Sequence, residues 1–230
     1  MVTFIFALLL SASSTIPEDP VFVSVRAPGD VPLSTEPALP FWRGAQPIVL
    51  ERSALGDPHP NYRTEVRSRW TPNYLYFLFV CPYDELYLRA NPNTTTETYA
   101  LWNWDVAEVF IGSDFANIRR YKEFEISPQS EWVDLNIDLA KPHHEDGWVW
   151  NSGFTVAARI DPSTKTWYGA MRIPFNSIAS QPPSPSETFR INLFRTEGPP
   201  SQRIDVVWQP TLSHTFHVPE KFGLLKLALR

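Results

Sequence analysis

Apolar and polar residues alternate along much of this chain. Thr64, Val66 and Trp70 interleave with Glu65, Arg67 and Arg69, the period of two that gives a strand one core-facing and one wet side. Thr71-Pro-Asn-Tyr74 is turn chemistry. Leu75–Cys81 is then continuously apolar, as a central strand would be. Further strands are predicted at Val106–Ile111, Tyr121–Ile126, Trp132–Asp138, Phe154–Ile160, Thr166–Ile173, Phe189–Arg195 and Phe222–Leu229. Asp161-Pro-Ser-Thr-Lys165 reads as a hairpin loop. No window carries a sustained helical period, and Pro174–Ala179 has room for a single turn. The pattern predicts an all-β chain folded as one antiparallel β-sandwich, with layers of the jelly-roll or immunoglobulin kind.

Composition agrees and narrows the function classes. A hydrophobic share of 43% and an aromatic share of 14% exclude a disordered polymer and favour strands. Twenty-three prolines against nine glycines suggest short strands joined by stiff loops. Met1–Ser14, an apolar run ending in small residues, reads as a signal peptide and implies a secreted or periplasmic protein. It is too short to span a bilayer, and no later segment approaches that length. Residues 15–40 form a Pro-rich N-terminal segment with one strand candidate, Val21–Arg26, and residues 41–230 form the domain. The net charge of −5 gives no basic footprint, so nucleic acid is not an expected partner. The single cysteine, Cys81, excludes an internal disulfide and reads as a small core residue.

The chemistry gathers at two places. In Leu101–Gly112, Trp102 and Trp104 stand beside Asp105 and Glu108. Indoles beside carboxylates suit a sugar, because the ring stacks on apolar C–H faces while the acid accepts hydroxyl protons. An unpaired acid is costly in an ordinary core strand. Face alternation sets Glu108 opposite Asp105, which leaves Asp105 to cap backbone N–H groups and Trp104 to hold the platform. The second place is the loop Trp208–Gly223, with Trp208, His214, Phe216 and His217. Loops distant in sequence meet at one end of a sandwich, so aromatics from the two segments would form a slot for one ring. His143-His144-Glu145-Asp146 lacks ligand spacing and reads as a solvated loop.

Four runs carry a family pattern: Trp102-Asn-Trp-Asp-Val-Ala-Glu-Val-Phe-Ile111, Tyr121-Lys-Glu-Phe-Glu-Ile-Ser-Pro128, Tyr168-Gly-Ala-Met-Arg-Ile-Pro174 and Pro219-Glu-Lys-Phe-Gly-Leu-Leu225. Their order and spacing, across roughly Phe41 to Leu229, resemble the family 9 carbohydrate-binding modules. The resemblance implies a β-sandwich that grips terminal sugars of plant-wall polysaccharides between two aromatics. The first maps to Trp102. The second, usually a tryptophan, maps to Phe216. The polar contacts map to Glu108 and to Asn192 or Arg195, and Glu125 stands where the family has a basic residue. The resemblance also implies structural calcium, for which Asp105, Asp114 and Asp146 are donors of the correct type, and association with a partner glycoside hydrolase.

Other readings stay open at this stage. Glu123, Glu125, Asp134 and Asp138 lie in strand-like segments, and a glycoside hydrolase would need two such carboxyls flanking the bond. Related sandwiches include haem- and catechol-binding domains; haem would need an axial pair such as Met171 with a histidine. No nucleophile elbow, phosphate loop or zinc motif is present. The expected protein is thus a non-catalytic binder of a terminal sugar, serving polysaccharide catabolism.

Overall fold

A computed structural model describes residues 19–230; the proposed signal peptide Met1–Ser14 lies outside them. The described residues form twelve strands: β1 Val21–Arg26, β2 Ile48–Leu50, β3 Thr64–Trp70, β4 Tyr74–Pro82, β5 Val106–Gly112, β6 Arg120–Ile126, β7 Trp132–Asp138, β8 Thr155–Asp161, β9 Thr166–Pro174, β10 Thr188–Glu197, β11 Ile204–Val207 and β12 Gly223–Ala228. The predicted single turn is α1, Phe175–Ile178. The all-β class and all ten predicted strands are present. β2 and β11 are additions, too short to show a period.

The ten principal strands run in one ladder, β7-β6-β5-β10-β12-β1-β3-β4-β9-β8, with β11 beside β10 and β2 beside β3. Here the structure departs from the antiparallel expectation. β1 runs parallel to both β12 and β3 and joins the two halves of the sheet, whereas the other pairs are antiparallel. Strand direction depends on the path of the connections, which no local period records. Serine hydroxyls from β1 and β3 meet inside this seam, Ser68 donating to Ser24 at 2.8 Å. The Trp70 indole N–H reaches the Ala228 carbonyl at 2.9 Å. At the far ends, β7 and β8 do not pair. Ala158 of β8 instead donates its amide to the Ser130 hydroxyl in the β6–β7 turn, at 2.8 Å.

The halves fold over one principal core. Phe22, Trp70, Phe77, Phe79, Trp167 and Met171 meet Val109, Phe124, Leu193 and Leu225 there. Met171, the axial candidate for haem, is fully buried among these apolar groups. Cys81 joins the same core, and burial pushes its thiol up to about 12. β5 is buried along its whole length, yet its faces differ. Ala107, Val109 and Ile111 enter the principal core, while Val106 and Phe110 join a second cluster with Tyr121, Leu135, Phe194 and Phe222. Glu108 lies on this second face by alternation.

The seam makes a quantitative expectation. Phe22 is fully buried and packs against Phe77 and Trp208, at ring centroid distances of 6.3 and 6.2 Å. Phe22→Ala should cost about 3–5 kcal/mol in urea unfolding, the usual cost of emptying an aromatic core site. A cost below about 1 kcal/mol would mean that β1 is dispensable to the sheet.

Candidate functional site

The second face of β5 is the floor of a pocket of about 630 Å³, within the range of about 300–1,000 Å³ common for ligand clefts. Glu108, Phe110, Glu123, Leu135 and Thr196 form its floor, from β5, β6, β7 and β10. Three loops build the walls: Tyr99 and Trp102 before β5, His144 and Glu145 after β7, and His214 to His217 before β12. Trp102 and Phe216, distant in sequence, therefore line the same pocket. Trp208 does not join them; it packs beside Phe22 against the principal core.

Each wall is held by a different device. Leu101–Asn103 is a single 3-10 turn entered through Ala100 at φ 60°. The Arg203 guanidinium fastens it: one Nη donates to the carbonyls of Trp102 and Trp104, the other to the carbonyls of Asn103 and Gly198 at 3.1 Å each. The Thr196 hydroxyl accepts a further bond from Arg203 at 2.8 Å. Tyr99 packs T-shaped on Trp102 at 5.5 Å and tilted on Trp148 at 5.2 Å. Phe216 lies flat over Phe194, with centroids 4.3 Å apart and planes 11° from parallel. One phenyl face is thereby covered, and the other is left to offer.

The histidine wall is a stack of rings. His217 lies against Phe110 at 5.1 Å, and His144 meets it edge-on at 4.3 Å. Burial, with His144 adding to it, pushes His217 down to about 3. Its Nδ1 is 2.6 Å from the Tyr121 hydroxyl, which burial raises above its ordinary range. The phenol therefore keeps its proton, and one hydrogen bond joins it to the neutral His217 ring. Gly147, in the turn His144–Val149, approaches β7 so closely that a Cβ would fall on the Asn136 carbonyl. Only glycine lets this wall lie where it does.

The floor carries three acids. Glu108 faces Glu125 directly across the β5–β6 ladder, and Glu123 lies two residues along on the same face. One carboxylate oxygen from each falls within 4.8 Å of the other two, and all three side chains are buried. Burial raises every one, and mutual repulsion adds to the rise at Glu108 and Glu125. Glu123 is pushed up to about 7, chiefly by burial. Neighbouring like charges out of water cannot all ionise, so the floor holds protons well above the ordinary carboxylate range.

The remaining candidates are placed elsewhere. Asn192 is fully buried below the loop before β12; its amide donates to the Gln209 carbonyl and accepts from the Leu193 and Gln209 amides. Arg195 is buried toward the principal core, paired with Glu197 and bonded to the Thr64 hydroxyl at 3.0 Å. Neither lines the pocket. Period-two alternation puts Arg195 on the opposite face of β10 from Thr196. Trp104 packs under the Arg89 guanidinium at 5.8 Å. Asp105 accepts amides from Tyr87 at 2.9 Å and Gly198 at 2.7 Å, the capping role its face predicts.

The three aspartates do not gather at one site. Asp105 spends both oxygens on those amides, Asp114 folds onto the Ala116 and Asn117 amides, and Asp146 sits on an exposed turn. Among the described residues the one group of carboxylates close enough for a shared ion is the glutamate trio. Tyr99, His144 and Arg203 are site residues that sequence reasoning missed; the run His143–Asp146, read as a solvated loop, in fact lends His144 and Glu145 to the pocket wall. An aromatic three residues before Trp102 was a usable signal for Tyr99. Arg203 had none, since its role depends on carbonyls far away in the chain.

The acid floor has a pH signature. A carboxyl raised on folding stabilises the protein below its unfolded value of about 4.5, and that stability is lost as pH rises through about 7 at Glu123. His217, pushed down from 6.5 to about 3, adds the opposite slope below pH 6.5. Between pH 6.5 and pH 8 the melting temperature should therefore fall, and Glu125→Gln should flatten the fall. A slope unchanged in the variant would show that the trio does not titrate in this window.

Comparison with known proteins places this geometry. The family model for the carbohydrate family 9 binding domain-like proteins matches residues 39–229. A family 9 carbohydrate-binding module from Caldicellulosiruptor kristjanssonii, solved with cellotriose, superposes with a TM-score of 0.66 at 15% identity, covering 92% of this chain and 95% of that one. The same description solved with glucose gives 0.65 at 15%, covering 92% and 97%. A putative carbohydrate-binding protein from Bacteroides uniformis gives 0.67 at 13%, covering 91% and 100%. At these identities the structural likenesses show a shared fold. No curated protein matches the chain. The match across nearly all of the described residues decides the family: this chain belongs to the carbohydrate family 9 binding domain-like proteins.

Proposed function

We propose that this protein binds a terminal sugar of a plant-type polysaccharide or oligosaccharide and does not cleave it. The observation that carries the reading is the pocket itself, in which Trp102 and Phe216 stand on separate loops over a polar floor. The sugar ring stacks on these aromatics while Glu108 accepts a hydroxyl proton. Folds like this one belong to modules solved with cellotriose and glucose, which supports β-linked glucans as first ligands. The apolar leader-like run Met1–Ser14 supports a secreted or periplasmic location. Family membership supports service to polysaccharide catabolism beside a glycoside hydrolase.

The geometry disfavours hydrolysis. Glycosidases hold their two carboxyls across the scissile bond from one another. Here Glu108, Glu123 and Glu125 project from adjacent strands on one sheet face, so all three lie on the same side of any ring above them, and the one wall carboxyl, Glu145, is paired with His143 at 3.3 Å. Asp134 is turned to Ser152, accepting from its amide at 3.1 Å and from its hydroxyl, and Asp138 is at the surface with Arg120 at 3.1 Å.

Isothermal titration against cello- and xylo-oligosaccharides tests the reading. The wild type should bind a member of this set, and Trp102→Ala should weaken binding roughly tenfold, as loss of a stacking contact of about 1–1.5 kcal/mol requires. No product should be released on the same panel. Wild-type silence across a broad glycan panel would refute carbohydrate binding. Unchanged affinity in the variant would move the stacking platform away from Trp102.

A further inference from the structure

The floor of the pocket carries more acid than a neutral sugar uses. Glu108 and Glu123 line it, and Glu125 stands directly behind, opposite Glu108. Both Glu125 oxygens and one Glu123 oxygen are buried with no donor from the rest of the protein; what they have is a hydrogen bond to each other, which takes a proton held between two acids. Orphaned acceptors of this kind are rare in folded proteins and ask for a missing donor. The described cations near the floor do not supply it. Arg203 spends its Nη hydrogens on the Trp102 turn, Gly198 and Thr196. Lys122 lies on the other face of β6, bonded to Asn136 and set over the Trp150 ring at 4.4 Å. The wall histidine His217 is neutral. The aromatic walls add a second preference, since indole, phenol and phenyl faces attract a cation.

We propose that the sugar selected by this pocket carries a protonated amine: a hexosamine unit with a free amino group, its ammonium seated against Glu108 and Glu123 with Glu125 behind. The inference rests on the carbohydrate reading above and names the ligand class of that same site. An ammonium brings three N–H donors and one positive charge to a floor of orphaned oxygens. A hydroxyl in its place brings one donor and no charge, and leaves the acids to be neutralised by protons. Acetylating the nitrogen removes the charge and adds bulk above the floor, so the N-acetyl sugar gains nothing there.

Isothermal titration with three trimers at neutral pH tests this: β-1,4-linked glucosamine, its N-acetylated form, and cellotriose, all in buffer containing a chelator. The glucosamine trimer should bind at least tenfold more tightly than cellotriose, and the N-acetylated trimer should show no such gain. Glu123→Gln should shrink the ratio of the two affinities several-fold. Equal or weaker binding of the glucosamine trimer would overturn the inference while leaving cellotriose binding to support the carbohydrate reading. Silence from all three trimers, extended to a broad glycan panel, would overturn both. A preference that survives both Glu108→Gln and Glu123→Gln would assign the amine to the general acidic surface, and cellotriose binding that appears only with added calcium would assign the floor to a metal ion. Either result would contradict the proposal.

Discussion

The Arg203 guanidinium is the group on which the binding face most depends. Three successive carbonyls, of Trp102, Asn103 and Trp104, converge on it, together with the Gly198 carbonyl and the Thr196 hydroxyl. Carbonyls left without donors at a partly buried turn would be expensive, and a planar fork of donors suits a fan of acceptors in a way an ammonium does not. Burial lowers the guanidinium's affinity for its proton, and Asp105, Glu108 and Glu125 act against that loss. The turn that presents Trp102 and the acids of the floor are thus coupled through one cation. Changing the charge of either is felt by the other.

Around this tie the division of labour is simple. The sheet supplies a rigid floor whose residues are fixed by ladder register, and the loops supply walls fixed by contacts back onto it. Phe216 is seated by Phe194, His217 by Phe110 and Tyr121, and the His144–Val149 turn by the close approach of Gly147 to Asn136. A pocket held in this way is largely formed before ligand arrives, which limits the ordering cost of binding.

How much of this could be read from sequence depends on the range of the interaction. Alternation along β5 and β6 located the strands and put Glu108 opposite Asp105, because side-chain direction follows from local geometry. The parallel placement of β1 was invisible, since direction is set by distant connections. β2 and β11 were too short to show a period. Asn192 and Arg195 carried suitable chemistry, yet register sends them to a buried loop contact and to the opposite sheet face. The same register brings Glu108, Glu123 and Glu125 together, a grouping that needs the β5–β6 pairing to be known. Tyr99, His144 and Arg203 became site residues only once the loops were placed in three dimensions.

The location of the site is the claim on which the rest stands, and nitrogen-15 NMR of the tryptophan indole N–H groups tests it most directly. The chain has nine tryptophans, of which Trp70 and Trp167 are buried in the principal core and Trp102 lines the pocket. On titration with cellotriose the Trp102 signal should move most, with Trp148 beside Tyr99 responding less and the two core indoles unmoved. Shifts confined to tryptophans outside the pocket, with Trp102 silent, would contradict the account.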